Sequence, residues 1–149
     1  MAKRAKVGDI VEVKMPQGFA YLHYVGNHPH YGEMSVVSPD ILDKRPDNLK
    51  PDFKRGYVAF YPIGAAVAQH LVQIVGRTAV PSDMPPKRLR RAGVLSDRGV
   101  ETWIIEGESG EVLKKTLTDE ERRLPIVNLW NHEFLLHRLA TGWRPELEG

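Results

Sequence analysis

Three strand-like segments follow one another between Val7 and Val37, separated only by turn residues, and this succession narrows the possible folds more than any other feature. VGDIVEVKM (Val7–Met15) places Val7, Val11, Val13 and Met15 on one face with Glu12 and Lys14 on the other, the period of two expected of a strand with one face buried. Gly18 precedes FAYLHYVG, where both alternating sets are largely apolar or aromatic, so this second strand is expected to be central and covered on both faces. YGEMSVV follows after NHPH and reads as its hairpin partner. An antiparallel sheet is therefore the expected beginning of the fold.

Beyond Val37 the text changes. SPDILDKRPDNLKPDFKR, residues 38–55, has three prolines and mixed charge and reads as a long loop with at most a helical turn. GYVAFYPI resumes strand character, GAAVAQH suits a short helix because alanine loses little side-chain entropy there, and LVQIVG returns to a strand. RTAVPSDMPPKRLRRAG, residues 77–93, is punctuated by Pro81, Pro85 and Pro86, and the Pro-Pro pair disfavours helix and holds the chain extended. TWIIEGESGEVLKKTL reads as a hairpin turning at Gly107, Ser109 and Gly110.

Helical signals gather late. Thr118 to Glu121 has the form of a capping box, with Pro125 limiting that helix to about two turns. In NHEFLLHRLATGW, Asn131 is the expected cap, and Leu136, Leu139, Ala140 and Trp143 form the stripe expected to pack on the sheet. The expected architecture is α+β: one domain over residues 1–149, built on a curved, mostly antiparallel sheet of about seven strands. A short mid-chain helix and C-terminal helices pack on it, and proline-rich loops lie near residues 38–55 and 77–93. A chain of 149 residues buries about 70% of the surface it exposes when unfolded, so such a core needs no covalent staple.

Composition removes several chemistries. There is no cysteine, which excludes a disulfide framework, a thiolate zinc site and a cysteine nucleophile. The basic start MAKRAKVGD runs into a strand-like segment instead of an apolar core, so no secretory leader is expected. The longest apolar run, near IGAAVA, falls far short of the roughly 20 residues that span a bilayer, so a soluble, cytoplasmic protein without membrane partners is expected.

The histidine motifs each have a plain alternative. HEFLLH resembles the zinc-protease helix, but His132 and His137 stand at i and i+5, about 140° apart around a helix, and cannot share one metal. His132 reads as a helix-start residue and His137 as a surface one. HPH, at His28 and His30, needs a further ligand from Glu33, His23 or His70 to hold a metal, and otherwise reads as the polar tip of a turn able to touch a partner. His23 shares a strand face with Phe19, Tyr21 and Val25, the setting of a hydrogen-bonded core or edge residue. No Gly-x-Ser-x-Gly elbow and no glycine-rich phosphate loop occurs, so no catalytic set, metal or cofactor is expected.

Net charge is only +2, yet its distribution is uneven. Arg77, Lys87, Arg88, Arg90, Arg91 and Arg98 outnumber Asp83 and Asp97 in one stretch, and Glu101, Glu106, Glu108 and Glu111 follow, so the two stretches can neutralise each other in the fold. KRLRR (Lys87–Arg91) is the strongest nucleic-acid feature, although no interleaved aromatics accompany it.

As a whole the chain resembles the immunity protein 26 family of bacterial polymorphic-toxin systems. The resemblance rests on the order of GDIVEV, FAYLHYVG, YVAFYPI, a short helix, LVQIVG, a proline-marked loop, a late hydrophobic hairpin and the terminal WNHEFLLHRLATGW helix. It implies a non-enzymatic protein that neutralises a cognate toxin by stoichiometric binding. The expected partner-binding residues are His28, His30, Tyr31, Lys87, Arg88, Arg90 and Arg91, with Tyr24 and Trp103 as further aromatic candidates, because arginines and aromatics dominate interface energetics when central and desolvated. Since acidic surfaces steer inhibitors onto basic nucleases, a toxin of that kind would meet the Glu101–Glu111 segment. The alternatives are a small nucleic-acid-binding module using the basic loop, or an enzyme whose site the sequence does not reveal.

Overall fold

A computed structural model describes residues 4–47 and 53–148; the middle of the first proline-rich loop, residues 48–52, lies outside them. β1 (Asp9–Met15), β2 (Gly18–His28), β3 (Gly32–Val37) and β4 (Tyr57–Ala59) come first, followed by helix α1 (Ile63–Ala68) and β5 (Gln73–Arg77). β6 (Leu89–Ser96), β7 (Gly99–Gly107) and β8 (Gly110–Lys114) precede α2 (Asp119–Arg122), α3 (His132–Thr141) and a 3-10 turn at Pro145–Leu147. The fold is α+β, with every strand pair antiparallel.

Instead of one sheet of about seven strands there are two, a five-stranded sheet in the order β4, β3, β2, β1, β5 and a three-stranded sheet in the order β6, β7, β8. The additional strand is β6, LRRAGVLS, within the stretch expected to be loop as far as residue 93. Its sequence does not alternate, and pairing with β7 across two register shifts holds it extended.

The large sheet is covered on both sides. Val11, Val13, Ala20, Leu22, Tyr24, Val37, Tyr57 and Ala59 join a core closed by Ile63, Ala66 and Val67 of α1, Leu135 and Leu139 of α3, and Trp130. Val25, Met34, Val36, Val58 and Phe60 form a second core with Leu89 of β6, tying the two sheets together. Trp103 and Ile105 of β7 meet Leu117 and Ile126 in a third cluster, and Trp143 packs against both the first and the third. Each such aliphatic or aromatic side chain contributes about 1.5–3 kcal/mol when fully buried.

β1 departs from the one-sided expectation. Glu12 is 1% exposed because the described part of the first loop lies over it. Arg45 donates to both Glu12 oxygens at 2.7 and 2.8 Å, and the Tyr21 hydroxyl donates to one of them at 2.9 Å. The same loop pairs Leu42 with Phe19 through two backbone bonds. Gly18 makes this approach possible: its φ is +142°, and a Cβ there would run into the Leu42 carbonyl.

Both expected helix caps form. Thr118 Oγ1 accepts from the Glu121 N–H at 3.1 Å while the Thr118 N–H donates to Glu121 Oε1 at 2.9 Å. Asn131 Oδ1 accepts from the Phe134 N–H at 2.7 Å, and α3 ends on Gly142 in the left-handed region. The buried face of α3 is Leu135, Arg138 and Leu139, rotated from the expected stripe; Leu136 is half-buried and Ala140 exposed. Arg138 takes a core-facing position because its guanidinium lies over the rings of Trp143, Phe134 and Trp130, at 3.7, 4.0 and 4.8 Å.

Candidate functional site

The turn between β2 and β3 and the hairpin of β7 and β8 face each other across a cleft of about 440 Å3. One wall is His28, His30 and Tyr31; Lys87 and Leu89 form the base, and Glu106, Glu108 and Glu111 belong to the hairpin wall. Four of the seven expected partner-binding residues thus meet at one place.

The turn is internally braced. His28 Nδ1 accepts from the backbone N–H groups of His30 and Tyr31, at 3.1 and 3.3 Å, and its ring stacks on Tyr31 with centroids 4.5 Å apart. Tyr31 packs edge-on against Phe60 at 5.9 Å, and its hydroxyl donates to Glu106 Oε2 at 3.1 Å, joining the turn to the second sheet. Burial, then the hydrogen bond to Glu106, raise the Tyr31 pKa, so the phenol stays protonated.

Metal ligation finds no support here. Nδ1 of His28 is already used, and Glu33 Oε2 accepts from the Gly64 N–H at 2.8 Å, at the start of α1. His23 is buried, its Nε2 3.1 Å from the Thr78 carbonyl oxygen and its ring stacked on Phe53. His70 is exposed beyond the end of α1. Among the described residues, no three histidines or carboxylates are grouped to hold a metal ion. His132, the first residue of α3, lies 2.9 Å from the Tyr61 hydroxyl through Nδ1, and burial lowers its pKa, whereas His137 is exposed.

The basic run KRLRR is dispersed. Arg91 Nε donates to Glu106 at 3.1 Å and its terminal nitrogen to Glu111 at 2.9 Å, so it stands behind the cleft and fixes both carboxylates. Lys87 reaches Glu108 at 3.9 Å, and Arg88 pairs with Glu120 at 2.7 Å on the exposed side of α2. Of the basic stretch, Lys87 and Arg91 pair with the acidic one, whereas Arg77 and Arg88 pair elsewhere, with Asp9 and Glu120, and exposed pairs of this kind contribute at most about 1 kcal/mol each.

Arg90 corrects the sequence expectation: it is 0% exposed and cannot touch a partner of the folded chain. It pairs with Ile105 and faces the third core cluster, where its guanidinium sits 4.3 Å over the Trp103 ring. One terminal nitrogen donates to the carbonyl oxygens of Arg122 and Pro145, at 2.9 and 2.6 Å, and burial lowers its pKa to about 10. Trp103 and Tyr24 are likewise core residues, 4% and 6% exposed, not contact aromatics.

The sequence reading missed several exposed aliphatics on the two outer strands of the small sheet. Val94 and Leu95 on β6, and Val112 and Leu113 on β8, are 50, 69, 58 and 63% exposed. The signal was present in GEVLK: two consecutive apolar residues on a strand point to opposite faces, and an edge strand of a three-stranded sheet has little to cover either. Leu113 lies on the same strand face as Glu111 of the cleft wall, two residues on, whereas Val112 is on the opposite face, so the cleft wall continues onto Leu113. No helix among the described residues is long and apolar enough to cross a membrane. No family model matches this chain, and neither does any curated protein or solved structure.

Proposed function

We propose that this chain is a non-enzymatic, stoichiometric binding protein of the immunity type, which neutralises a cognate toxin in the bacterial cytoplasm by covering it. The observation that carries the reading is the braced cleft, whose Glu111 wall continues along the same face of β8 onto the exposed Leu113. An exposed apolar side chain beside a fixed aromatic and charged frame matches the mix of apolar and polar groups found in interfaces. Tyr31 supplies the aromatic anchor, held by its stack on His28 and its bond to Glu106, so little side-chain entropy is lost when a partner seats on it.

Nucleic-acid binding is the weaker reading. Lys87, Arg88 and Arg91 already face carboxylates and Arg90 is buried, so a phosphate backbone would have to displace existing pairs. The test is co-purification with the product of the neighbouring reading frame, using the wild-type chain and the variants Leu113→Glu and Tyr31→Ala. A one-to-one complex that survives moderate salt and weakens by about tenfold or more in each variant supports the proposal. A wild-type chain that neither captures that product nor protects a host expressing it overturns the immunity reading.

A further inference from the structure

The five-stranded sheet ends in β5, whose far edge has no strand beside it among the described residues. The outer strands β4 and β6 are partly occupied, by Leu129 bridging to Phe60 just beyond β4 and by Ile126 bridging to Arg90, whereas β8, which carries Glu111, is a second open edge among the described residues. A cleft of about 650 Å3 at β5 is lined by Arg4 and Lys6 of the segment that leads into β1, by Asp9 of β1 and by Ile74 to Arg77. Its charge is one-sided, three cations to one carboxylate. Arg77 donates to Asp9 Oδ1 at 3.1 Å and to the Val7 carbonyl oxygen at 3.0 Å, and the other Asp9 oxygen accepts from the Lys6 backbone N–H at 2.8 Å. The side chains of Arg4 and Lys6 are exposed and enter no ion pair among the described residues. Ile74 and Val75 are half-buried, Ile74 against the first core, and Gly76 adds no side chain to the lining.

We propose that the outer edge of β5 accepts an extended acidic segment of a partner protein as a sixth strand, its carboxylates set against Arg4 and Lys6. Strand addition of this kind takes affinity from main-chain hydrogen bonds and selectivity from alternate side chains. Free edges are commonly guarded by charge and by bulges, and β5 has both, with a register shift opposite it between Ile10 and Val11. The guard is selective: clustered cations repel a second copy of this same edge and attract an acidic strand. The residues involved are separate from the cleft at β7 and β8, so either surface can fail without the other.

The test is titration of the full chain with a fluorescent peptide of alternating glutamate and valine, followed by anisotropy and by backbone amide shifts. Saturable binding is expected, with shifts confined to β5 and residues 4–8. It should weaken about tenfold when Arg4→Glu and Lys6→Glu are combined, two exposed positions outside the strands. It should also be lost when alternate peptide amides are methylated, which removes the donors that strand pairing requires. Absence of binding at low salt, indifference to the charge reversal, or equal binding of the methylated peptide or a sulfated polysaccharide overturns the proposal. So does a matching loss of binding in Leu113→Glu, which would move the site to β8.

Discussion

β2 of the five-stranded sheet is buried without a break from Ala20 to Gly26, whereas β8 of the three-stranded sheet is exposed from Gly110 to Leu113. β8 has two apolar side chains, Val112 and Leu113, between Glu111 and Lys114, and their exposure reflects position as well as composition. β2 has strands on both sides and a core above and below, while β8 is the edge of a sheet anchored chiefly through Trp103 and Ile105 of its middle strand. The first sheet holds most of the buried apolar area, and the second carries the exposed surface on which the proposed function rests. Apolar area costs stability when truncated only where it is already out of water.

The sharpest way to break this comparison is to make the same truncation in both places. Leu22→Ala in β2 should destabilise by about 2–5 kcal/mol, through lost burial and a residual cavity. Leu113→Ala in β8 should stay within about 0.5 kcal/mol. Urea denaturation midpoints at constant slope measure both, and equal losses would show that the two sheets share one core. Glu12→Gln probes the buried charge that ties the first loop to the large sheet. The expected loss is about 1–3 kcal/mol, because a charged hydrogen bond is removed while Arg45, half exposed, regains water.

Acid titration examines the same group. The hydrogen bonds from Arg45 hold the Glu12 carboxyl below its ordinary value, so the folded pKa lies under the unfolded one. Its contribution is present above the unfolded pKa and is lost as pH falls through the folded value, so wild-type stability should drop across that acidic window. Denaturation midpoints should show a shallower drop for Glu12→Gln; parallel curves would assign acid sensitivity elsewhere. Thr118→Ala should cost about 1 kcal/mol through loss of the α2 cap, less than Leu22→Ala and more than Leu113→Ala.

Local chemistry was legible in the sequence wherever neighbours along the chain determine it. The three strands between Val7 and Val37, the hairpin at Gly107 to Gly110, the capping box at Thr118 and the cap at Asn131 all follow from periodicity and short-range hydrogen bonding. What was not legible depends on partners distant in sequence. Glu12 reads as solvent-facing until Arg45 and Leu42 are folded over it, and Arg90 reads as a surface cation until it is set on Trp103. β6 is a strand because β7 makes it one. Of the candidate site, His28, His30, Tyr31 and Lys87 were found by residue type, whereas the aliphatic edge was not, since apolar strand residues read as core.

Amide hydrogen exchange of the chain, alone and mixed with the product of its neighbouring reading frame, tests the division between the two sheets most directly. The account predicts that β1 to β3 exchange slowly in both samples, while residues 28–31 and 110–114 exchange quickly in the free chain and become protected in the complex. Slow exchange of β8 in the free chain, or protection in the complex that falls on β5 and leaves β8 unchanged, would contradict it.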